Sequence, residues 1–191
     1  MKLTYTHKLL ILFTSVIILL GGEARLSLAA NSEIYLPLVY KNYIKGFTNP
    51  GFENGTESWT VQSNQGDSVV TEAAAHSGQR SAGLGNGNSN RLTSITQQVI
   101  VPQAGYVLTY YQWIESPEKC SNNNSLVMVI VSEYPYQHYP ICQDSSNARW
   151  VKMKIYLAPY KGQQVDFKLE FQSSAILNNY IYVDDFSFEL P

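Results

Sequence analysis

Apolar and polar residues alternate with a period of two along the last forty residues, Arg149 to Leu190. Val151, Met153, Ile155 and Leu157 alternate with Trp150, Lys152, Lys154 and Tyr156. Val165, Phe167, Leu169 and Phe171 alternate with Asp166, Lys168, Glu170 and Gln172. Period two over this length predicts strands with one buried face. In a third run, Tyr182, Asp184, Phe186, Phe188 and Leu190 share a parity, which places a carboxylate among core residues. A buried carboxylate requires hydrogen-bond donors or a cation.

Similar runs extend upstream. Short strands are expected at Trp59–Val61 and Ser68–Glu72, and longer ones at Arg91–Val101, Tyr106–Ile114 and Ser125–Ser132. Gly83–Asn90 is too rich in Gly and Asn for regular structure and is expected to be a loop. Glu115–Asn124 and Glu133–Asn147 are expected to be long polar loops. No stretch combines helical periodicity with caps, and Ala158–Lys161 is expected to form a single turn. Nine or ten short strands separated by turn signals predict an all-β, antiparallel β-sandwich or jelly roll.

The first thirty residues depart from this pattern. Lys2 and Lys8 precede an apolar run from Leu9 to Leu20, and Ser27-Leu28-Ala29-Ala30 supplies small residues for cleavage. This is the design of a signal peptide, and the run is short for a membrane span. Residues 1–30 are therefore expected to be a signal peptide, 31–47 a linker or edge strand and 48–191 the β-module. Pro37 limits the second segment to an edge strand. The mature protein is expected to be secreted, monomeric and without a membrane span.

Composition agrees with export. The chain has 191 residues, fourteen of them Tyr, and a formal charge of −2. Removal of residues 1–30 leaves ten basic groups against fourteen acidic. A weakly acidic chain without a basic stripe argues against a nucleic-acid partner. Cys120 and Cys142 are the only cysteines and can pair in an oxidising compartment. If the chain turns back near Tyr134-Pro135-Tyr136, Cys142 returns beside the start of the 125–132 strand, near Cys120.

Several motifs, in order, carry a resemblance. Asn49-Pro50-Gly51-Phe52-Glu53-Asn54-Gly55 is followed by Trp59, then by His76-Ser77-Gly78-Gln79-Arg80-Ser81. Gly105-Tyr106-Val107-Leu108-Thr109-Tyr110, Trp150, Tyr160-Lys161-Gly162-Gln163-Gln164-Val165 and Tyr182-Val183-Asp184-Asp185-Phe186 complete the set. Together they resemble secreted carbohydrate-binding modules with a galactose-binding-like jelly roll, over about Thr48 to Leu190. The closing pattern also resembles jelly-roll modules attached to secreted peptidases. The Cys120–Cys142 region has no counterpart in that pattern.

The resemblance implies a structural calcium where the first and last strands meet. Glu53, Asp184 and Asp185 are the candidate ligands, with carbonyls near Gly51 and Ser77, and calcium takes six to eight oxygens. The competing arrangement has Asp184 accepting hydrogen bonds from backbone or Arg80, with Glu53 exposed. The resemblance also implies glycan binding. With Tyr106, Leu108 and Tyr110 inward, Tyr111 and Trp113 face outward, where rings can stack on sugar C–H faces. Buried packing beneath loops is the plainer use of such rings. Tyr134, Tyr136 and Tyr139, on a Pro-stiffened loop with His138, form a second candidate platform.

Catalytic patterns are missing. No GxSxG or HExxH occurs, and only His76 and His138 remain after signal removal. Glu115, Glu118 and Glu133 read as solvated loop carboxylates. Asn54-Gly55-Thr56 and Asn123-Asn124-Ser125 are glycosylation sequons. The expectation is a non-enzymatic, secreted module that binds polysaccharide or another glycan. The alternative is an extracellular protein-interaction or structural module that meets another protein.

Overall fold

The computed structural model describes residues 46–86, 91–117, 119–120, 125–142, 148–173 and 179–191. Residues 1–30, expected to be a signal peptide, most of the 31–47 segment, Glu118 and the start of the Asn123 sequon lie outside the described residues.

Ten strands form two five-stranded sheets. They are β1 (Thr60–Ser63), β2 (Val70–Thr71), β3 (Ser81–Asn86), β4 (Leu92–Ile100), β5 (Val107–Glu115), β6 (Leu126–Val131), β7 (Tyr134–Pro140), β8 (Val151–Tyr156), β9 (Gln164–Gln172) and β10 (Tyr180–Glu189). One sheet has the order β1-β4-β9-β6-β7 and the other β2-β3-β10-β5-β8. Every pairing is antiparallel. The expected 158–161 turn is a 3-10 turn, Ala158–Tyr160. This is the all-β sandwich that the alternation predicts.

The core lies between the sheets. Val127, Val129 and Val131 of β6 face it, as do Val165, Phe167, Leu169 and Phe171 of β9 and Leu108 and Tyr110 of β5. At one end, Phe47, Phe52, Trp59, Phe167 and Phe186 pack as an aromatic knot; Phe52 and Trp59 stack with centroids 5.0 Å apart. Asn49 organises the turn that delivers Phe52. Its Nδ2 donates to the Gly55 and Glu57 carbonyls, its Oδ1 accepts from Asn54 N–H, and its own carbonyl accepts from Trp59 Nε1. The motif from Asn49 to Trp59 is thus a structural corner. Phe47, placed by sequence in the linker, is buried in this knot and stacks on Phe188 at 5.6 Å. Apolar packing starts five residues before the expected anchor Phe52.

Three local expectations are corrected. Residues 83–86, the first part of the expected 83–90 loop, instead belong to β3 (Ser81–Asn86), and 87–90 lie outside the described residues. Gly85 suits this strand because a Cβ there would lie 2.8 Å from the Asn179 carbonyl oxygen and 3.0 Å from the Phe171 ring. Composition suggested a loop; close approach of Asn179 and of the β9 ring of Phe171 is what Gly85 serves.

Residues 134–140 form β7 instead of a loop. The chain reverses one residue pair earlier, at Ser132 and Glu133, both with positive φ. Pro135 and Pro140 are compatible with β7 because it is an edge strand, where missing N–H donors leave no ladder bond unmade.

In β10, Ile181 and Val183 face the core, then Phe186 does so. The pairing with β5 shifts register between Asp184 and Ser187, and Asp185 has φ +53°. This bulge adds one residue and reverses the parity. Tyr182 and Asp184 therefore face away from the core, and Leu190 is 69% exposed. The expected common face for Tyr182, Asp184, Phe186, Phe188 and Leu190 does not form.

Cys120 and Cys142 are bonded, with Cα atoms 4.9 Å apart. Ile141 N–H donates to the Ser125 carbonyl at 2.9 Å, which returns Cys142 to the start of β6 as expected.

Candidate functional site

Tyr111 and Trp113 alternate with the inward Tyr110, Gln112 and Ile114 along β5, so both project from the outer face of the β2-β3-β10-β5-β8 sheet. The expected parity of β5 and β8 holds. Trp150, just ahead of β8, meets Trp113 edge to face, with centroids 6.0 Å apart and planes at 74°. Lys152 pairs with Tyr111 across the ladder, and Lys154 with Thr109. On the other side of β5, Tyr182 pairs with Trp113 and Asp184 with Tyr111. The face therefore carries rings at one end and lysines toward the other.

His76 joins this cluster from a distant loop. Its ring lies parallel to Tyr111 at 3.5 Å and edge-on to Trp150 at 5.7 Å. His76 Nδ1 is 2.6 Å from Asp185 Oδ2, and Ser77 Oγ donates to Asp185 Oδ1 at 2.7 Å. The serine hydroxyl engages the carboxylate and not the imidazole, so these three do not form a relay from nucleophile to base. Nothing in the local sequence His76-Ser77-Gly78 signalled that this imidazole would reach β5.

The acidic candidates all fasten the 76–80 turn. Asp184 is buried; its Oδ2 accepts from His76 N–H at 2.8 Å and Ser77 N–H at 3.3 Å, and its Oδ1 accepts from Asp185 N–H. Glu53 Oε1 accepts from Gln79 and Arg80 N–H, each at 2.9 Å. Thus Glu53 from the first turn and Asp184 from the last strand meet on one loop. Burial, reinforced by the neighbouring Asp185 charge, pushes the Asp184 carboxyl up to about 6 against the opposing pull of its three backbone donors.

The fit to a cation can be judged from these oxygens. A Cβ at Gly51 would lie 3.3 Å from Oδ1 of both Asp184 and Asp185. Two acidic oxygens therefore converge over the Gly51 backbone, which suits a hard, oxygen-seeking ion. Glu53 is turned to the amides of the 79–80 segment. No cluster of three or more His, Cys, Asp or Glu residues suited to a metal occurs among the described residues.

The second platform divides. Tyr134 is 74% exposed. The Tyr136 hydroxyl donates to the Tyr156 carbonyl oxygen and its ring meets Tyr160 at 6.3 Å, so it closes the sandwich edge between β7 and β8. Tyr139 faces inward: its hydroxyl pairs with Tyr110 Oη at 2.9 Å and donates to Gln112 Oε1. Burial raises the Tyr110 and Tyr139 hydroxyls above the usual phenol range. Tyr139 is therefore a half-buried anchor packed against the core and not a surface ring. Strand pairing with β6 decides this, because Tyr139 lies opposite the buried Val127.

On the lysine end, Lys152 Nζ and Lys154 Nζ each lie 2.6 Å from a different oxygen of Glu189. The two ammonium groups hold the Glu189 carboxyl below its usual range.

No protein-family model matches this sequence, and no curated protein matches it. Solved structures do share its fold. The carbohydrate-binding module TmCBM61 in complex with beta-1,4-galactotriose has a TM-score of 0.57 and 16% identity, covering 77% of this chain and 99% of that one. CBM28, a non-crystalline cellulose specific carbohydrate-binding module, gives 0.53 and 13%, covering 76% and 96%. The K3 cleaved adhesin domain of Lys-gingipain from Porphyromonas gingivalis w83 gives 0.52 and 14%, covering 75% and 96%. The fold is thus the β-sandwich of carbohydrate-binding modules. Among the described residues no helix is long and apolar enough to cross a membrane. The Cys120–Cys142 bond is compatible with an extracellular setting.

Proposed function

We propose that this protein is a secreted, non-catalytic glycan-binding module whose platform is the outer face of the β2-β3-β10-β5-β8 sheet. The observation that carries the proposal is the corner of Trp113 and Trp150, set at 74° on a face that also presents Lys152 and Lys154. Stacked rings bind the C–H faces of a sugar while lysines and hydroxyls take its oxygens. Tyr111 contributes from beneath His76, and Tyr134 with Tyr136 provides a second surface at the sandwich edge. The likeness in fold to modules that carry galactotriose or recognise cellulose supports a saccharide ligand. A calcium ion at Asp184 and Asp185 would tie the 76–80 turn to the last strand; its role is structural.

The test is a panel of plant, fungal and bacterial polysaccharides, measured by affinity electrophoresis. The parent should bind at least one polymer, and Trp113→Ala should abolish that binding with an unchanged melting temperature. If Trp113→Ala unfolds the protein, the ring is structural. If the parent binds nothing in the panel, a second reading takes its place: a protein-interaction module, favoured by the likeness to an adhesin domain of Lys-gingipain.

A further inference from the structure

Lys152 and Lys154 are neighbours on the outer side of β8, one residue apart from each other and directly beside the aromatic corner. Lys152 lies opposite Tyr111, which is two residues from Trp113, a separation of about 7 Å along an extended strand. One carboxylate, Glu189, takes both ammonium groups, one on each oxygen at 2.6 Å. The side chains of Lys152 and Lys154 remain 37% and 50% exposed, and that of Glu189 28%. Two cations therefore share one anion, and the trio keeps a charge of +1. Each ammonium has three donors, and one is directed to Glu189. Both lysines thus keep donor capacity on this partly exposed face.

Of the other acidic groups on this face, two are engaged elsewhere. Asp184 is buried against backbone donors, and Asp185 is bound to His76 and Ser77. Glu115 shares this face, exposed two residues beyond Trp113 and opposite Tyr180, on the side away from the lysines. The lysine pair thus supplies the cationic side of the Trp113–Trp150 corner, toward Tyr111, and Glu115 the anionic side.

We propose that the ligand is an acidic glycan: a sugar ring stacks at the Trp113–Trp150 corner and its uronate carboxylate is taken by Lys152 and Lys154. This rests on the glycan-binding reading of the same face. Glu189 already holds two long, flexible side chains side by side, so less side-chain freedom is lost when a ligand carboxylate arrives. The same Glu189 repels that carboxylate and limits affinity. Two opposed effects on binding follow from one ion trio. Removal of the cations weakens binding, and removal of the Glu189 charge strengthens it.

The experiment is calorimetric titration of the whole mature protein with polygalacturonate and with the same polymer fully methyl-esterified. The parent should bind the acid form at least ten times more tightly, with an advantage that shrinks as salt rises. The double variant K152M/K154M should lose that advantage and bind acid and ester with similar affinity. Glu189→Gln should tighten binding of the acid form several-fold, and it serves if the double variant does not fold. Trp150→Ala should weaken both forms. Equal binding of acid and ester by the parent overturns the acidic-glycan proposal and leaves glycan binding standing. So does acid binding that survives Trp150→Ala, which would mark a general polyanion surface. If neither polymer binds and the wider panel is also negative, the glycan reading itself fails, and this proposal with it.

Discussion

The imidazole of His76 lies flat on the ring of Tyr111, centroids 3.5 Å apart and planes 14° from parallel, across 35 residues of chain. One face of Tyr111 is therefore occupied within the protein. Trp113, two residues on, meets Trp150 edge to face at 6.0 Å, with no parallel ring among the ring pairs of the described residues. Two rings that sequence periodicity makes equivalent have different surroundings.

This difference predicts different outcomes on truncation. Tyr111→Ala removes the His76 stack and should cost about 1 kcal/mol of stability as well as affinity. Trp113→Ala should cost affinity with little change in stability. Urea denaturation of both variants beside the parent decides it; equal stability losses would contradict the distinction.

Asp184 gives a pH dependence whose sign follows from its raised carboxyl. The group is harder to ionise in the folded protein, near 6, than in an unfolded chain, near 4. Its contribution is fully present at low pH and is lost as pH rises through about 6. In chelator, melting temperature should therefore carry a downward component between pH 4 and 7, absent in Asp184→Asn. A calcium ion at Asp184 and Asp185 would favour the ionised form, raise the melting temperature above pH 6 and remove that component. An identical melting profile with chelator and with millimolar calcium would rule the ion out at ordinary concentrations.

The disulfide closes a span of 22 residues between Cys120 and Cys142. Loop-closure entropy assigns it about 3 kcal/mol. Replacing both cysteines with serine should lower unfolding free energy by about that amount and leave the sheets intact by circular dichroism. Two alkylatable thiols in native secreted protein would show that the bond does not form.

Tyr139 is expected to act through the core. Its hydroxyl lies between Tyr110 Oη and Gln112, so Tyr139→Phe leaves buried polar groups short of a partner. The expected cost is about 1–3 kcal/mol, with glycan affinity unchanged. Tyr134→Ala, at an exposed ring, should leave stability within about 0.5 kcal/mol. A Tyr139→Phe variant as stable as the parent would place that hydroxyl in solvent.

Much of the sandwich was legible because most of its strands bury one face. In β8 and β9, strict alternation predicts the inward residues, and the parity given to Leu108 and Tyr110 of β5 also holds; the wholly apolar β6 carries no such pattern. The Cys120–Cys142 pairing was equally legible, since two cysteines flank a strand whose return brings them together. Periodicity failed where something other than a regular strand sets direction. The β10 bulge adds one residue at Asp184-Asp185, and no apolar pattern marks it. The Gly-rich β3 and Pro-rich β7 carry loop composition, yet pairing partners supply what composition does not. Gly85 makes room for neighbouring groups, and Pro135 sits on an edge.

Alternation, turn residues and cysteine spacing, all local properties, determined the β class, the inward faces of three strands, β5, β8 and β9, and the outward projection of Tyr111, Trp113, Lys152 and Lys154. Tertiary structure alone decided which of these meet. It brought Trp150 to Trp113, His76 to Tyr111, and Glu189 to both lysines, and it turned Tyr139 inward. The reason is physical: the direction of a side chain on a strand follows from a period of two, but its neighbour across the sheet depends on register, on bulges and on where a distant loop lands. Glu53 and Asp184 are separated by 131 positions, and they converge because both carboxylates satisfy amides of the single turn at 76–80.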